Sequence, residues 1–382
     1  LSALFDIAAA SPALLLALAA GLLGLAAGWL IERTHFCTMG AISDAYLFGS
    51  WRRLRAWCLA VATALLLTQL LALSGLVPLA ETFYLAPRIE PLGLLTGGVL
   101  FGIGMVLAGG CASRNLVRLG GGSLKALVVV LMLGLTAFAT MAGVLVWPAG
   151  LLRGAVVWTL DQPTQSLGAL VAAYGLAPRP LADAALGLGL AALLMLFVFR
   201  DARFRRSPAD QALGFGLGTL VALGFLLTGW LLADPFEPVA VLSLSYVAPT
   251  AQALLWTMTG NRLWPGFGAA LALGTVLGAA LSASLGGRFR VETFRAADDM
   301  MRHVAGGALM GFGGILALGC TVGQGMTGLA TLAVSSFIAV AGIVMGALLA
   351  LRRLERGSWR AALGRKAAGG PEALGVERSG RG

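Results

Sequence analysis

The sequence predicts an all-α polytopic membrane protein: about nine transmembrane helices with short re-entrant helices between them, arranged as two repeats of inverted topology. Three observations carry this expectation. Hydrophobic residues make up 58% of the chain and charged residues 12%, with a mean hydropathy of +0.88, which cannot be arranged as a soluble globule with a polar surface. Apolar runs of about 20 residues, long enough to cross a hydrocarbon core of about 30 Å, recur from end to end. The segment GGVLFGIGMVLAGGC at Gly97 to Cys111 returns as GGALMGFGGILALGC at Gly306 to Cys320, with nine of fifteen positions identical at a constant offset of 209. Such self-similarity marks an internal repeat.

Spans are expected at 12–31, 55–77, 92–110, 124–147, 181–199, 212–232, 263–285, 304–319 and 328–351. The first lacks a basic leading region and runs into Glu32, Arg33 and His35 rather than a small-residue cleavage site, so it reads as a retained span. With nine spans, the arginine-rich loops (Arg33 and Arg52–Arg55, Arg114–Lys125, Arg200–Arg206, Arg288–Arg302) and the tail from Arg352 fall on one side. Cytoplasmic loops carry that excess, so the N-terminus is expected outside and the C-terminus inside. The net charge of +10 is therefore mainly a topology signal at the anionic inner leaflet, with no sign of nucleic-acid binding. The chain divides into a first half at 1–150 (four spans and a re-entrant helix), a linker at 151–205 with one span, a second, inverted half at 206–352, and a disordered cytoplasmic tail at 353–382.

The repeat extends to GWL at 28–30 and again at 229–231, each followed by a segment too short to cross, about 37–48 and 246–258. These read as re-entrant helices. Glycines around Gly110 and Gly319 break the helices at membrane depth, and half-helix N-termini there suit a small anion.

Of four cysteines, Cys58 lies inside an ordinary apolar span and reads as a core residue, whereas Cys37, Cys111 and Cys320 each sit at a break. No CxxC occurs, and only His35 and His303 could supply imidazole, so neither a metal nor another cofactor is expected. No nucleotide-binding loop is present. A neutral thiol is soft and binds weakly, so a thiol-lined path favours an anion with a terminal soft sulfur, thiosulfate being the natural fit.

At HFCTMGAISD (35–44), GGCASRNLVRLGGGS (109–123) and GCTVGQGMTGLA (319–330) the chain closely resembles the YeeE/YedE family of sulfur transport membrane proteins, and the resemblance runs through residue 352. It implies a transporter of the bacterial cytoplasmic (inner) membrane, not an enzyme, in which Cys37, Cys111 and Cys320 hand thiosulfate along by weak hydrogen bonds. It also implies contact with a small cytoplasmic sulfur-carrier protein. Around the thiols, Arg114 and Asn115 are candidates for touching the anion, Arg114 alternatively serving topology alone. Gln324 either lines the path or packs its loop. His35 either polarises Cys37 or is a solvated loop residue, and Asp44 is either a proton site or the partner of a loop arginine. The competing classes are a membrane-embedded sulfurtransferase or dithiol oxidoreductase, and a thiol-based sensor.

Overall fold

The computed structural model describes residues 12–175, 178–231, 240–260, 263–294 and 296–355. Helix α1 (Pro12–Thr34) is followed by the short α2 (Thr38–Phe48), then α3 (Arg52–Leu73), α4 (Pro91–Leu107), a second short helix α5 (Ala112–Gly120) and α6 (Leu124–Ala142). A connecting region holds α7 (Val146–Gly154), α8 (Leu167–Ala173), α9 (Arg179–Phe199) and α10 (Ala202–Arg205); within it a two-residue strand Trp158–Thr159 pairs antiparallel with Arg88–Ile89. The second half is α11 (Pro208–Leu226) running into a π-helical turn at Leu227–Leu231, then α12 (Val247–Thr259), α13 (Phe267–Leu285), α14 (Ala297–Leu316), a buried π-helical turn at Gly323–Gly328, and α15 (Val334–Glu355). The protein is an all-α, multi-pass membrane protein.

Among the described residues eight helices are long and apolar enough to cross a membrane. The ninth expected span is α14, which has the length at 20 residues but carries Asp298 and Asp299 in its first turn. Asp299 is not free in that turn, since Lys125 of α6 donates to it at 2.6 Å. Several expected boundaries need correction. The fourth span ends at Ala142 rather than 147, because Gly143 breaks the helix before α7 begins. The last span starts at Val334, not 328, because residues 323–328 coil as a π turn. The α15 helix continues to Glu355, into the segment expected to be a disordered tail; the remainder of that tail, 356–382, lies outside the described residues.

Local sequence explains where the short helices begin and end. Both α2 and α12 stop at a glycine in the left-handed region, Gly49 (φ 61°) and Gly260 (φ 54°), where a side chain would be strained. Packing partners are reciprocal between the halves. The first helix of each half packs on the third of the other (α1 on α13, α11 on α3), and the fourth of each on the last of the other (α4 on α15, α14 on α6). The duplicated glycine motifs meet directly where α4 crosses α14. A Cβ on Gly104 would lie 2.7 Å from the Gly306 carbonyl oxygen and one on Gly306 2.7 Å from that of Gly104. Without a hydrophobic drive between helices in lipid, such backbone-to-backbone approach is what small residues make available.

Candidate functional site

The three chain breaks are the same construction made three times. In each, a long helix ends in a Schellman motif whose left-handed residue is His35 (φ 52°), Gly109 (φ 68°) or Leu318 (φ 56°). The paired closing bonds are Phe36 N to Ile31 O with His35 N to Glu32 O, Gly110 N to Met105 O with Gly109 N to Val106 O, and Gly319 N to Gly314 O with Leu318 N to Ile315 O. Two residues after the left-handed position stands a cysteine: Cys37, Cys111 or Cys320. Each then starts the next turn. The Cys37 Sγ accepts from Gly40 N at 3.4 Å and the Cys320 Sγ from Gly323 N at 3.3 Å, whereas the Cys111 side chain makes no such capping bond. The thiols of Cys37 and Cys320 thus cap the turns they start, each accepting a backbone N–H and keeping its own S–H hydrogen to donate.

Two of the three left-handed residues are not glycine, and L-residues pay roughly 1–2 kcal/mol there. His35 is exposed, and its charged neighbours are Arg114, Glu32, Arg288 and Arg53 rather than Cys37. In the fold it occupies the left-handed position of the backbone turn. His35→Gly is therefore expected to leave transport intact. His35→Val, β-branched and disfavoured at positive φ, is expected to lower it, as uptake assays on the two variants would reveal.

The breaks converge. The thiols of Cys37 and Cys111 face one another, and the Thr321 hydroxyl, one residue past Cys320, reaches the Cys111 thiol. Ser113 Oγ lies 3.3 Å from the Cys111 Sγ. Cys111 and Cys320 are fully buried, whereas Cys37 is half-buried at the floor of a cavity of about 300 Å³ lined by His35, Asp44, Arg53 and Asp210 among others. All four cysteines are free thiols, and Cys58 packs in the apolar core as expected.

The remaining predicted residues sort by what they touch. Asn115 and Gln324 are equivalents under the 209-residue repeat, and both hold their breaks in shape. Asn115 Nδ2 donates to the carbonyls of Gly110 (2.8 Å) and Cys111 (3.1 Å). Gln324 Nε2 donates to Ala317 O (2.7 Å), and its Oε1 accepts from Ser336 (2.6 Å). A Cβ on Gly110 would press on Arg114 at 3.2 Å and one on Gly319 on Gln324 at 3.1 Å, so both glycines leave room for the side chains that follow them. Asp44 pairs with Arg53 at 3.2 Å, which is the loop-arginine alternative.

Arg114 is different. Its guanidinium is largely buried, within electrostatic reach of Cys37 and Cys111, and among the described residues it makes no ion pair and no side-chain hydrogen bond. The nearby carboxylate that could neutralise it, Glu32, is already held: Arg288 binds it through two nitrogens at 3.0 and 2.7 Å, and Ser282 donates at 2.6 Å. This clasp, in which buried Glu32 of α1 is held by Ser282 of α13 and by the exposed Arg288 beyond its end, joins residues that stand in no motif. Ser113 and Thr321 were not anticipated, although Thr321 could have been found from the repeated Cys-Thr-x-Gly spelling at 37–40 and 320–323.

What this arrangement offers chemically is soft sulfur at three chain breaks, with the Arg114 guanidinium beside Cys37 and Cys111 and a polar vestibule at Cys37. Comparison with known proteins agrees with that chemistry. The chain is 28% identical over 340 residues to the thiosulfate transporter TsuA of Spirochaeta thermophila, covering 85% of this chain and 95% of that protein. It is 26% identical over 340 residues to the thiosulfate transporter TsuA of Escherichia coli, covering 85% and 90%. The family model described as sulphur transport matches residues 33–349, a stretch that contains all three breaks. The chain belongs to the sulphur transport family of membrane proteins.

Proposed function

We propose that this protein carries thiosulfate, or a closely related sulfur anion, across the bacterial inner membrane along a path marked by Cys320, Cys111 and Cys37. The observation that carries the proposal is the facing of the Cys37 and Cys111 thiols, with Thr321 of the Cys320 break against Cys111, beside the unpaired Arg114. The relatives named as thiosulfate transporters support the choice of substrate.

The anion's negative charge is met by Arg114 and by the helix N-termini at Cys37 and Cys111. Its soft terminal sulfur accepts S–H from each thiol in turn. Bonds of this kind are weak, so each station holds the anion without trapping it. In the orientation given by the arginine-rich loops, the two halves are inverted repeats, the N-terminus is outside, and the Cys37 vestibule opens to the cytoplasm. There the basic loops offer a surface for a sulfur-carrier protein. A dithiol oxidoreductase, which the neighbouring Cys37 and Cys111 would invite, has the transporter family against it.

The test is uptake of labelled thiosulfate by cells lacking their own sulfur-anion importers and expressing this chain, with labelled sulfate as control. Saturable uptake of thiosulfate and not of sulfate is expected. Absence of uptake from a protein shown to be inserted in the membrane would remove the proposal.

A further inference from the structure

Cys-Thr-x-Gly occurs twice, as Cys37-Thr38-Met39-Gly40 and Cys320-Thr321-Val322-Gly323. The two copies are not equivalents under the 209-residue repeat, which pairs Cys320 with Cys111. The same local structure has therefore been built at two unrelated places. In both, the glycine amide caps the cysteine sulfur. In both, the threonine is buried, 5% exposed for Thr38 and 3% for Thr321, and its hydroxyl has no conventional hydrogen-bond partner.

That is unusual for threonine in this protein. Within helices its hydroxyl ordinarily bonds back to the carbonyl four residues earlier, as Thr34, Thr63, Thr136 and Thr275 do at 2.6, 2.9, 2.7 and 2.8 Å. Thr38 is the first residue of its helix and Thr321 lies in the turn ahead of the π turn, so neither has such a carbonyl in its own helix. Thr68, Thr82 and Thr164 also have unpaired hydroxyls, but none of them adjoins a cysteine in the chain. Thr321 has a direction as well. It adjoins Cys320 in the chain and its hydroxyl faces the Cys111 thiol, an acceptor weak enough to leave the O–H available to a stronger one. A buried hydroxyl left without a partner destabilises the fold, and such groups are accounted for when a ligand completes them.

A thiol distinguishes a soft sulfur but does little for the hard oxygens at the other end of a thiosulfate-type anion, which call for O–H donors. We propose that Thr321 and Thr38 are specificity-determining residues of this path: their hydroxyls donate to the sulfonate-type oxygens while the adjoining thiols hold the soft sulfur. The inference rests on the transport reading above and adds the class of anion selected, one with a soft sulfur at one end and oxygens at the other.

Proteoliposomes holding the full chain provide the test, with initial rates of labelled thiosulfate entry measured against concentration for wild type, Thr321→Val, Thr321→Ser and Thr38→Val. Hydrosulfide, a soft sulfur anion without oxygens, serves as competitor. Thr321→Val is expected to raise KM for thiosulfate about tenfold, the effect of losing one hydrogen bond to a charged group, and Thr321→Ser to stay near wild type. The inhibition constant of hydrosulfide should not move. The thermal midpoint of Thr321→Val should equal or exceed that of wild type, because an unpaired buried hydroxyl has been removed. If Thr321→Val does not insert, Thr38→Val carries the same expectations. Wild-type KM in both valine variants would overturn the inference and leave transport standing, as would a rise in KM matched by an equal rise for hydrosulfide. Failure of wild-type vesicles to take up thiosulfate would overturn the reading beneath it.

Discussion

Cys111→Ala is expected to reduce thiosulfate uptake by about 100-fold or more while leaving membrane insertion unchanged. Among the three thiols, Cys111 alone interacts with both other breaks, facing Cys37 on one side and the Thr321 hydroxyl on the other. Its removal interrupts the sequence of donors at the middle. Hydrogen bonds to charged groups contribute about 1.5–3 kcal/mol, and 1.4 kcal/mol corresponds to about tenfold, so the loss of the central donor at the crowded point reaches the upper end of that range. The fold should tolerate the change, because the break is held by the Schellman bonds and by Asn115, none of which uses the sulfur. Cys111→Ser provides the sharper comparison. It keeps a donor hydrogen of similar placement but replaces a soft atom by a hard one, so it is expected to remain far below wild type. Recovery of full uptake by serine would show that softness is not what the site requires.

Arg114→Gln is expected to raise KM for thiosulfate by about 10–100-fold, with a smaller change in the maximal rate. The argument is electrostatic. A buried guanidinium is costly without a counter-charge, yet the neighbouring Glu32 is already occupied by Arg288 and Ser282. An anion arriving beside Cys37 and Cys111 would supply the missing partner. The charge is one-sided: the equivalent position in the second half, 209 residues later, is Gly323. Arg114→Lys should fall between wild type and glutamine, since lysine keeps the charge but lacks the planar fork of donors. If Arg114 acted through topology alone, lysine would match wild type, and glutamine would change the amount of inserted protein rather than KM.

Much of this was legible in the sequence, for reasons that also explain the misses. The duplicated Gly97–Cys111 and Gly306–Cys320 segments read as an internal repeat, and the structure adds that the two copies pack on one another where α4 crosses α14, closely approaching backbones in lipid demanding small residues. The short helices α2 and α12 were placed to within a residue, bounded as they are by the cysteine break or its counterpart and by a left-handed glycine. Hydropathy failed where apolarity and helicity part company. Residues 323–333 are as buried as any helix yet fold as a π turn and a bend, so the last span was started too early. The α14 helix begins at Ala297, ahead of the span expected from residue 304, with Asp299 of its first turn paired to Lys125.

Side-chain roles were harder to read than positions. Spacing identified Asn115 and Gln324 as neighbours of the thiols, but only the three-dimensional arrangement shows that their amides hold carbonyls of the breaks. Glu32, Ser282 and Arg288 come together from segments some 250 residues apart, a contact that no local pattern encodes.

The central claim is that three particular thiols border the substrate's path, and the most direct measurement is protection of each from alkylation. The purified protein would be treated with N-ethylmaleimide with and without saturating thiosulfate, and modification of each cysteine followed by mass spectrometry. The account predicts that thiosulfate slows modification of Cys37, Cys111 and Cys320, whereas the core residue Cys58 reacts slowly and at the same rate in both conditions. Equal rates at Cys111 with and without thiosulfate, in protein that transports it, would contradict the account.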